Sequence, residues 1–211
     1  MTLYSYLVDN DNGFSPNPFF GYCTLACSKP GIRRTAQRGD WVIGLAPKAD
    51  RIRVSFFMRV DEDPIGFDAY WHDARFKRKR PRYDAGITEE FGDNIYEPKL
   101  CGGYRQLPSM HSDGHRENPE KKKEDLSGIY VLISDSFAYF GSEPLELPAE
   151  LTPLIIERGY SCRFSDDVKD KFLRYVGVVG FGVRAKPRHW PAHDHTWVNA
   201  CGASVCIKSY E

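Results

Sequence analysis

The alternation of apolar and polar positions predicts strands before it predicts helices. Residues 2–8 (TLYSYLV) alternate with the two-residue period of a strand, and 41–45 (WVIGL) form an apolar run too short for an independent helix. A turn at 47–50 separates this run from 51–60 (RIRVSFFMRV), which is rich in β-branched and aromatic residues. The two apolar runs are therefore predicted to pair as an antiparallel hairpin.

Helices are fewer in the pattern, and they are short. The stretch 28–38 begins with Ser28 as an expected N-cap, has a proline in its first turn and is followed by a glycine. Its three arginines make it a basic helix. Apolar residues at helical spacing predict another helix over 67–74 and two more within 148–176.

The stretch 83–126 has little periodicity and is rich in Gly, Pro, Asp, Glu and Lys, which predicts a long irregular insertion. Within it, 117–125 is charged and lacks an apolar face, so we expect it to be mobile. Strands and helices do not alternate regularly, which disfavours a doubly wound parallel sheet. We expect an α+β fold, a curved, mostly antiparallel sheet or small barrel with peripheral short helices. The expected organisation is a single domain over 1–211, with a C-terminal extension at 184–211 whose structure the pattern does not define.

Composition narrows the class of protein. Lys plus Arg and Asp plus Glu balance at 29 each, so any affinity for nucleic acid has to come from a local basic face. The chain has no run of 18 apolar residues and no charged-then-apolar start, so neither a membrane span nor a secretory signal is expected. A cytoplasmic location is predicted. The six cysteines form no CxxC pair and are expected to be reduced thiols.

Most common catalytic signatures are missing from the sequence, including the P-loop, GxGxxG, HExxH, GxSxG and the deaminase pair HxE with PCxxC. His111 with Asp113 is the candidate catalytic pair, because an imidazole oriented by a carboxylate is a usable general base near neutral pH. An ordinary Asp-Gly turn is the alternative. His189, His193 and His195 are candidate ligands for Zn²⁺, although their spacing matches no common structural zinc site and a surface loop is the alternative. No cofactor is expected to be required.

The densest combination of binding features lies between residues 14 and 45. Prolines hold several aromatic rings in place, and stacking on such rings is worth ~1–3 kcal/mol per base. An asparagine side chain can both donate to and accept from a base edge, and basic side chains can contact a phosphate. Core packing of the same rings is the alternative. The predicted nucleotide-binding residues are Asn17, Phe19, Phe20, Tyr22, Lys29, Arg33, Arg34 and Trp41.

The run RFKRKRPR at 75–82 is the most positive segment of the chain. Such clusters often contact phosphates, and a solvated loop is the alternative. The predicted phosphate contacts are Lys77, Arg78, Lys79 and Arg80.

Five segments, in order over residues 3–142, resemble the nucleotide modification associated domain 2 family. They are LYSYLVDNDNGFSPNPFFGYCTLACSKPGIRRTAQRGDWVIG, FDAYWHDARFKRKRP, FGDNIYE, MHSDGH and YVLISDSFAYFG. The resemblance implies a role beside enzymes that make hypermodified bases, and it assigns no catalytic residues. The order of strand, basic helix and Gly-Asp-led strand is also similar to PUA-like modules, including the EVE and YTH groups. That likeness implies a small mixed β-barrel and, for many members, binding of RNA or modified bases.

Three functions are open at this point. The chain is expected to be a module that binds a modified nucleobase or nucleotide in DNA or RNA. The second hypothesis is an enzyme that alters a base or nucleotide, with His111 and Asp113 on a lid over the same pocket. The third is a non-catalytic accessory protein that docks a base-modification enzyme. Whether His111 and Asp113 reach the aromatic pocket separates the first two hypotheses.

Overall fold

The computed structural model describes residues 1–48 and 51–190. The strands in these ranges are β1 (Leu3–Leu7), β2 (Cys23–Leu25), β3 (Trp41–Lys48), β4 (Arg51–Arg59), β5 (Ile65–Gly66), β6 (Tyr96–Pro98), β7 (Tyr104–Gln106), β8 (Tyr130–Ser134), β9 (Phe137–Tyr139), β10 (Leu145–Glu146), β11 (Tyr160–Ser161) and β12 (Gly182–Val183). The α-helices are α1 (Pro30–Thr35), α2 (Phe67–His72), α3 (Ile87–Glu90), α4 (Pro119–Leu126) and α5 (Asp166–Val179), and 3-10 helices span Ala74–Lys79 and Ala149–Leu154.

The largest sheet has seven strands in the order β11-β1-β3-β4-β9-β12, with β10 paired to β4. The predicted hairpin is confirmed, because β3 and β4 are antiparallel neighbours with Trp41 opposite Arg59 and Ile43 opposite Phe57. The sheet is mixed rather than purely antiparallel, since β1 runs parallel to β3 and β12 runs parallel to β9.

Strand alternation divides the core of this sheet between its two faces. On one face, Trp41 and Ile43 pack in the cluster that includes Phe172 of α5. On the other face, Tyr6 and Val42 pack in a second cluster, with residues of α1 and β2. The sheet is therefore buried on both sides, which accounts for the uninterrupted apolar run in β3.

A three-stranded antiparallel sheet, β2-β8-β5, covers the second face. Alternate residues of β8 point to its two sides: Leu132 joins the second cluster, whereas Val131 and Ile133 join a third cluster beyond it. This third cluster also holds residues of α2 and of the two-stranded sheet β6-β7, including Tyr70 and Tyr96. The molecule is thus layered, with α5 at one side and the third cluster at the other.

The expected α+β class is confirmed, and the described residues form no closed barrel. The stretch 83–126 is more regular than its composition predicts, because it contains α3, β6, β7 and α4. The expectation of a single domain stays a prediction, as does the PUA-like comparison. Among the described residues, no helix combines the length and apolar composition that a bilayer crossing requires. The four described cysteines form no disulfide with one another.

Gly44 of β3 is required by close packing, and its replacement tests the layered core. A Cβ there would lie 2.1 Å from a ring carbon of Phe56 and 2.7 Å from a methyl carbon of Val8. We expect Gly44→Ala to lower the free energy of unfolding by about 1–3 kcal/mol in urea titrations, because the core has to shift. In the control, Gly177→Ala, at an exposed position of helix α5, meets no atom outside the helix backbone within 4 Å and should add about 0.5–1 kcal/mol to the free energy of unfolding. Equal stability of Gly44→Ala and the wild type would contradict this packing.

Candidate active site

Ser28 occupies a strained position between strand β2 and helix α1. Its φ is 57°, and that of Lys29 is 43°, both in the left-handed region that non-glycine residues seldom adopt. The strain costs about 1–2 kcal/mol per residue. The helix begins at Pro30 with Lys29 at its N-cap and no capping side chain, so the expected cap at Ser28 is wrong. Such strain persists only where surrounding contacts impose it, and it is concentrated at functional sites.

Tertiary hydrogen bonds impose this conformation. The backbone N–H of Ser28 donates to Oδ1 of Asp125 at 2.7 Å, and its carbonyl accepts from Nε of Arg33 at 2.8 Å. One residue earlier, the carbonyl of Cys27 accepts from the hydroxyl of Ser15 at 2.7 Å. The backbone of Ser28 is therefore held from both sides, while its hydroxyl is left for other contacts.

Asp125 is the buried carboxylate of the site. Its Oδ2 lies 2.6 Å from Nδ1 of His111 and accepts from the hydroxyl of Tyr96 at 2.7 Å. Burial alone would raise the pKa of Asp125. The hydrogen bond and charge of His111, the Tyr96 hydroxyl and the Ser28 amide outweigh it, so the pKa of Asp125 is lowered. The carboxylate is therefore ionised at neutral pH.

His111 connects this carboxylate to the serine. An ionised carboxylate only accepts hydrogen bonds, so Nδ1 carries a proton and, in the neutral imidazole, Nε2 offers a lone pair. Nε2 lies 3.5 Å from the hydroxyl oxygen of Ser28, at the long limit of a hydrogen bond. The ring also packs edge-on against Phe14, with centroids 4.9 Å apart. The three side chains form a hydroxyl, imidazole and carboxylate relay of the kind that activates a nucleophile.

Of the three relay residues, Ser28 lines a cleft of about 560 Å³, a volume in the usual range for small-molecule sites, whereas His111 and Asp125 are not part of its lining. Residues of β1 and β11 line the same cleft. The lining residues are Tyr6, Leu7, Val8, Asp9, Asn10, Ser15, Ser28, Lys29, Pro30, Gly31, Lys121, Glu124, Gly159 and Tyr160.

Metal binding is the alternative role for the same part of the site. Donor atoms of Cys27, His111 and Asp125 lie within 4.8 Å of one another. Both oxygens of Asp125 already accept hydrogen bonds, and burial, followed by the charges of Asp125 and Asp93, raises the pKa of Cys27 well above its ordinary value. Because the Asp125 carboxylate already accepts three hydrogen bonds, from Ser28, Tyr96 and His111, the geometry favours the relay.

A family model of the nucleotide modification associated domain 2 matches residues 1–194. The chain belongs to this family. Its role is accordingly associated with nucleotide modification. The match includes Ser28, His111 and Asp125, and it extends into the predicted C-terminal extension that starts at 184. No curated protein and no solved structure matches the chain.

The aromatic residues that were predicted to line one nucleotide-binding pocket do not lie together in the structure. Trp41 lies on the α5 face of the large sheet, with its ring 5.5 Å from that of Phe172. Phe19 is buried in the third cluster, and Phe20 and Tyr22 are half-buried at the edge of that cluster. Trp41 and the other three rings therefore lie in different layers, because strand alternation directs Trp41 away from them.

The polar residues of that predicted pocket have three different environments. Asn17 is fully buried, and its amide donates to two backbone carbonyls at 3.0 Å each. Arg33 is also fully buried and donates to three backbone carbonyls, so its guanidinium is unavailable to a phosphate. Arg34 is exposed and donates to a single carbonyl at 3.3 Å. Of these four, Lys29 alone lines the cleft beside Ser28.

The basic run at 75–82 is less available than its composition indicates. Lys79 is fully buried, and its ammonium donates to the carbonyls of Asn17 and Tyr22 at 2.9 Å each and to the Asn17 side chain at 2.6 Å. A phosphate cannot reach it, so Lys79 is a structural residue.

The neighbours of Lys79 stack on aromatic rings. The guanidinium of Arg80 lies 3.9 Å from the ring centroid of Trp71 and donates to that residue's carbonyl. Arg78 lies 4.1 Å over the ring of Phe20 and pairs with a glutamate at 2.6 Å. Lys77 is exposed. Phosphate contact through Lys77, Arg78 and Arg80 stays a prediction.

The residues predicted to form a catalytic pair and a zinc site also differ in where the structure places them. Asp113 does not orient His111, because it is exposed and accepts from the Asn118 side chain at 2.9 Å. His189 accepts the backbone N–H of Asp11 at its Nδ1, at 2.9 Å. The other two candidate zinc ligands, His193 and His195, lie outside the described residues.

Sequence reasoning did not select Ser28 as a member of the relay, and it missed Asp125 altogether. A signal for the second existed: Asn118 followed by Pro119 is a good helix start, and it predicts a helix that carries Asp125 in its last turn. The pairing of that turn with Ser28 had no sequence signal, because the two residues are 97 positions apart.

The ionised Asp125 should stabilise the fold in a pH-dependent way. The pKa of Asp125 is lower in the folded than in the unfolded protein. Its contribution to the free energy of unfolding is therefore fully present above the pKa of the unfolded state, and it is lost as the pH falls through the pKa of the folded state. We expect Asp125→Asn to cost about 2–4 kcal/mol at pH 7, and this difference from the wild type to shrink below about pH 4. Urea titrations at pH 7 and pH 3.5 measure both values.

The control is Asp113→Asn, which removes an exposed carboxylate and should cost less than about 0.5 kcal/mol at pH 7. A difference between Asp125→Asn and wild type that stays constant or grows on acidification would contradict the ionised, hydrogen-bonded carboxylate.

Proposed function

We propose that this cleft is the active site of an enzyme that acts on a nucleotide or nucleobase through a serine nucleophile. Ser28 is the nucleophile, His111 is the general base and Asp125 orients the imidazole. The observation that carries this proposal is the continuous relay: the carboxylate of Asp125 lies 2.6 Å from His111, whose second nitrogen lies 3.5 Å from the hydroxyl of Ser28. The longer of these distances is typical of a nucleophile and base before substrate is bound.

The reaction class that fits a neutral imidazole beside a serine hydroxyl is acyl transfer or acyl hydrolysis. Oγ of Ser28 attacks the carbonyl carbon of an acyl group carried by the nucleotide or base, and its proton passes to Nε2 of His111. The bond between the carbonyl carbon and the nucleotide then breaks, and the departing oxygen or nitrogen takes the proton from His111. Water, activated by the same imidazole, releases the acyl group from Ser28.

Asp125 supports this cycle without itself exchanging a proton. Its lowered pKa keeps it ionised, and a fixed negative charge beside Nδ1 stabilises the imidazolium that forms when Ser28 attacks. Tyr96 and the Ser28 amide hold both carboxylate oxygens in place. His111 is thereby restricted to the tautomer that accepts a proton from serine.

Nucleotide recognition without catalysis is the second candidate function. The observation that favours it is the cleft, whose volume suits a small molecule whether or not Ser28 reacts. The aromatic stretch at 14–22 is a weaker place for such recognition. Arg78 lies over the ring of Phe20, and Arg75 lies 5.4 Å from the ring centroid of Tyr22. These arginines cover ring faces on which a base would stack. Docking to a base-modification enzyme and a cytoplasmic location stay predictions.

Labelling with a fluorophosphonate, which forms a bond to an activated serine as fluoride departs, separates catalysis from binding alone. We expect stoichiometric labelling of the wild type at Ser28, located by peptide mass spectrometry, and none at this position in Ser28→Ala. His111→Gln should slow the labelling by about 100-fold or more, because the general base is removed.

Asp113→Asn is the matched control. It alters the neighbouring carboxylate that the sequence suggested as the partner of His111, and it should label at the wild-type rate. An unlabelled but folded wild type, or equal rates for wild type and His111→Gln, would refute the serine mechanism.

A further inference from the structure

The ammonium of Lys29 is a charge without an opposite partner in the cleft. Lys29 follows Ser28 directly and is half-buried. Within residues 1–48 and 51–190 its ammonium makes no hydrogen bond and no ion pair, and it lies 4.6 Å over the ring of Tyr6. A contact of this kind compensates only part of the lost hydration of an ammonium. Lys29 therefore has unused capacity to bind an anion.

The nearby carboxylates do not remove this capacity. Glu124 is paired with Lys121 of the same helix, α4, at 2.9 Å, and Asp9 is an exposed residue of the cleft lining. Burial is the main influence on Lys29 and lowers its pKa, while the charges of Asp9 and Glu124 act in the opposite direction. The ammonium thus carries a desolvation cost in the free protein, which an anionic ligand would offset.

A tyrosine with an exposed ring lies in the same cleft. Tyr160 is the register partner of Tyr6 in the pairing of β11 with β1, so the two side chains project from the same face of the sheet. Tyr160 is 41% exposed although it lines a concave surface. Its ring packs directly on Gly31, where a Cβ would lie 2.7 Å from a ring carbon, so the ring is held in position.

We infer that Lys29 binds the phosphate of a nucleotide substrate and that Tyr160 stacks on its base. This inference rests on the proposed function, since it names the substrate class of the same cleft. An isolated phosphate would need the lysine and no aromatic ring, whereas a nucleoside would need the ring and no lysine. The cleft supplies both within about 560 Å³, which is enough room for a nucleoside monophosphate.

Calorimetry in the Ser28→Ala background tests this assignment, because binding is then measured without turnover. The probes are the four standard nucleoside 5′-monophosphates, the matching nucleosides and inorganic phosphate. We expect at least one nucleotide to bind more tightly than its nucleoside. Adding Lys29→Gln should weaken that nucleotide by about 10- to 100-fold and leave the nucleoside unchanged.

Tyr160→Ala should weaken the nucleotide and the nucleoside alike, by about 5- to 100-fold, whereas Tyr160→Phe should retain most of the affinity because the ring remains. Lys121→Gln is the charge-matched control, because Lys121 lines the same cleft but is already paired with Glu124, and it should change nucleotide affinity less than Lys29→Gln.

Three results would overturn the inference: no nucleotide binding in the Ser28→Ala background, equal loss of nucleotide and nucleoside affinity in Lys29→Gln, or inorganic phosphate binding as tightly as the nucleotides. Fluorophosphonate labelling of Ser28 is independent of these titrations. Labelling without nucleotide binding would leave the serine mechanism standing and reject the substrate class, and the reverse pattern would do the opposite.

Discussion

A buried guanidinium holds the candidate site together. Arg33 is fully buried, and it donates to the backbone carbonyls of Ser28 and Tyr130 at 2.8 Å each and to that of Asp125 at 2.5 Å. It therefore ties the start of α1 to the end of α4 and the start of β8. A charged side chain that is buried away from water needs hydrogen-bond partners, and the planar guanidinium can donate in several directions at once. The buried guanidinium also requires glycine at position 128, because a Cβ there would lie 2.5 Å from the guanidinium carbon.

A second buried cation organises the loop that precedes this site. The ammonium of Lys79 donates to the backbone carbonyls of Asn17 and Tyr22, at the two ends of this segment. Burial lowers the pKa of Lys79 to about 8. Asp93, also buried, accepts from the hydroxyls of Thr24 and Tyr70 at 2.7 and 2.6 Å. Two of the most basic segments of the sequence thus contribute their central residues to the interior. Charge density alone did not distinguish them from a phosphate-binding surface, because burial depends on contacts from distant segments.

The sequence was most informative where short-range physics decides the structure. The hairpin of β3 and β4 and the helix after Ser28 follow from apolar runs, proline and glycine, all of which act over a few residues. The position of Ser28 itself did not follow, because its φ of 57° is imposed by Arg33 and Asp125 and not by its neighbours. His111 was selected from the sequence as a candidate catalytic residue, and its partner was assigned by proximity in sequence. The fold placed a carboxylate 14 residues away against it.

The stretch between β6 and α4 explains why three distant residues can act together. Gln106 at the end of β7 donates to the carbonyl of His111 at 3.0 Å and accepts the backbone N–H of Asn118, which caps α4. The turn that carries His111 is therefore tied to the helix that carries Asp125. With the backbone of Ser28 held at both its N–H and its carbonyl, the remaining separation between its hydroxyl and His111 depends mainly on side-chain torsions. Adjusting one such torsion costs about 0.5–1.5 kcal/mol even away from a rotamer minimum, so the 3.5 Å distance can shorten without any movement of the main chain.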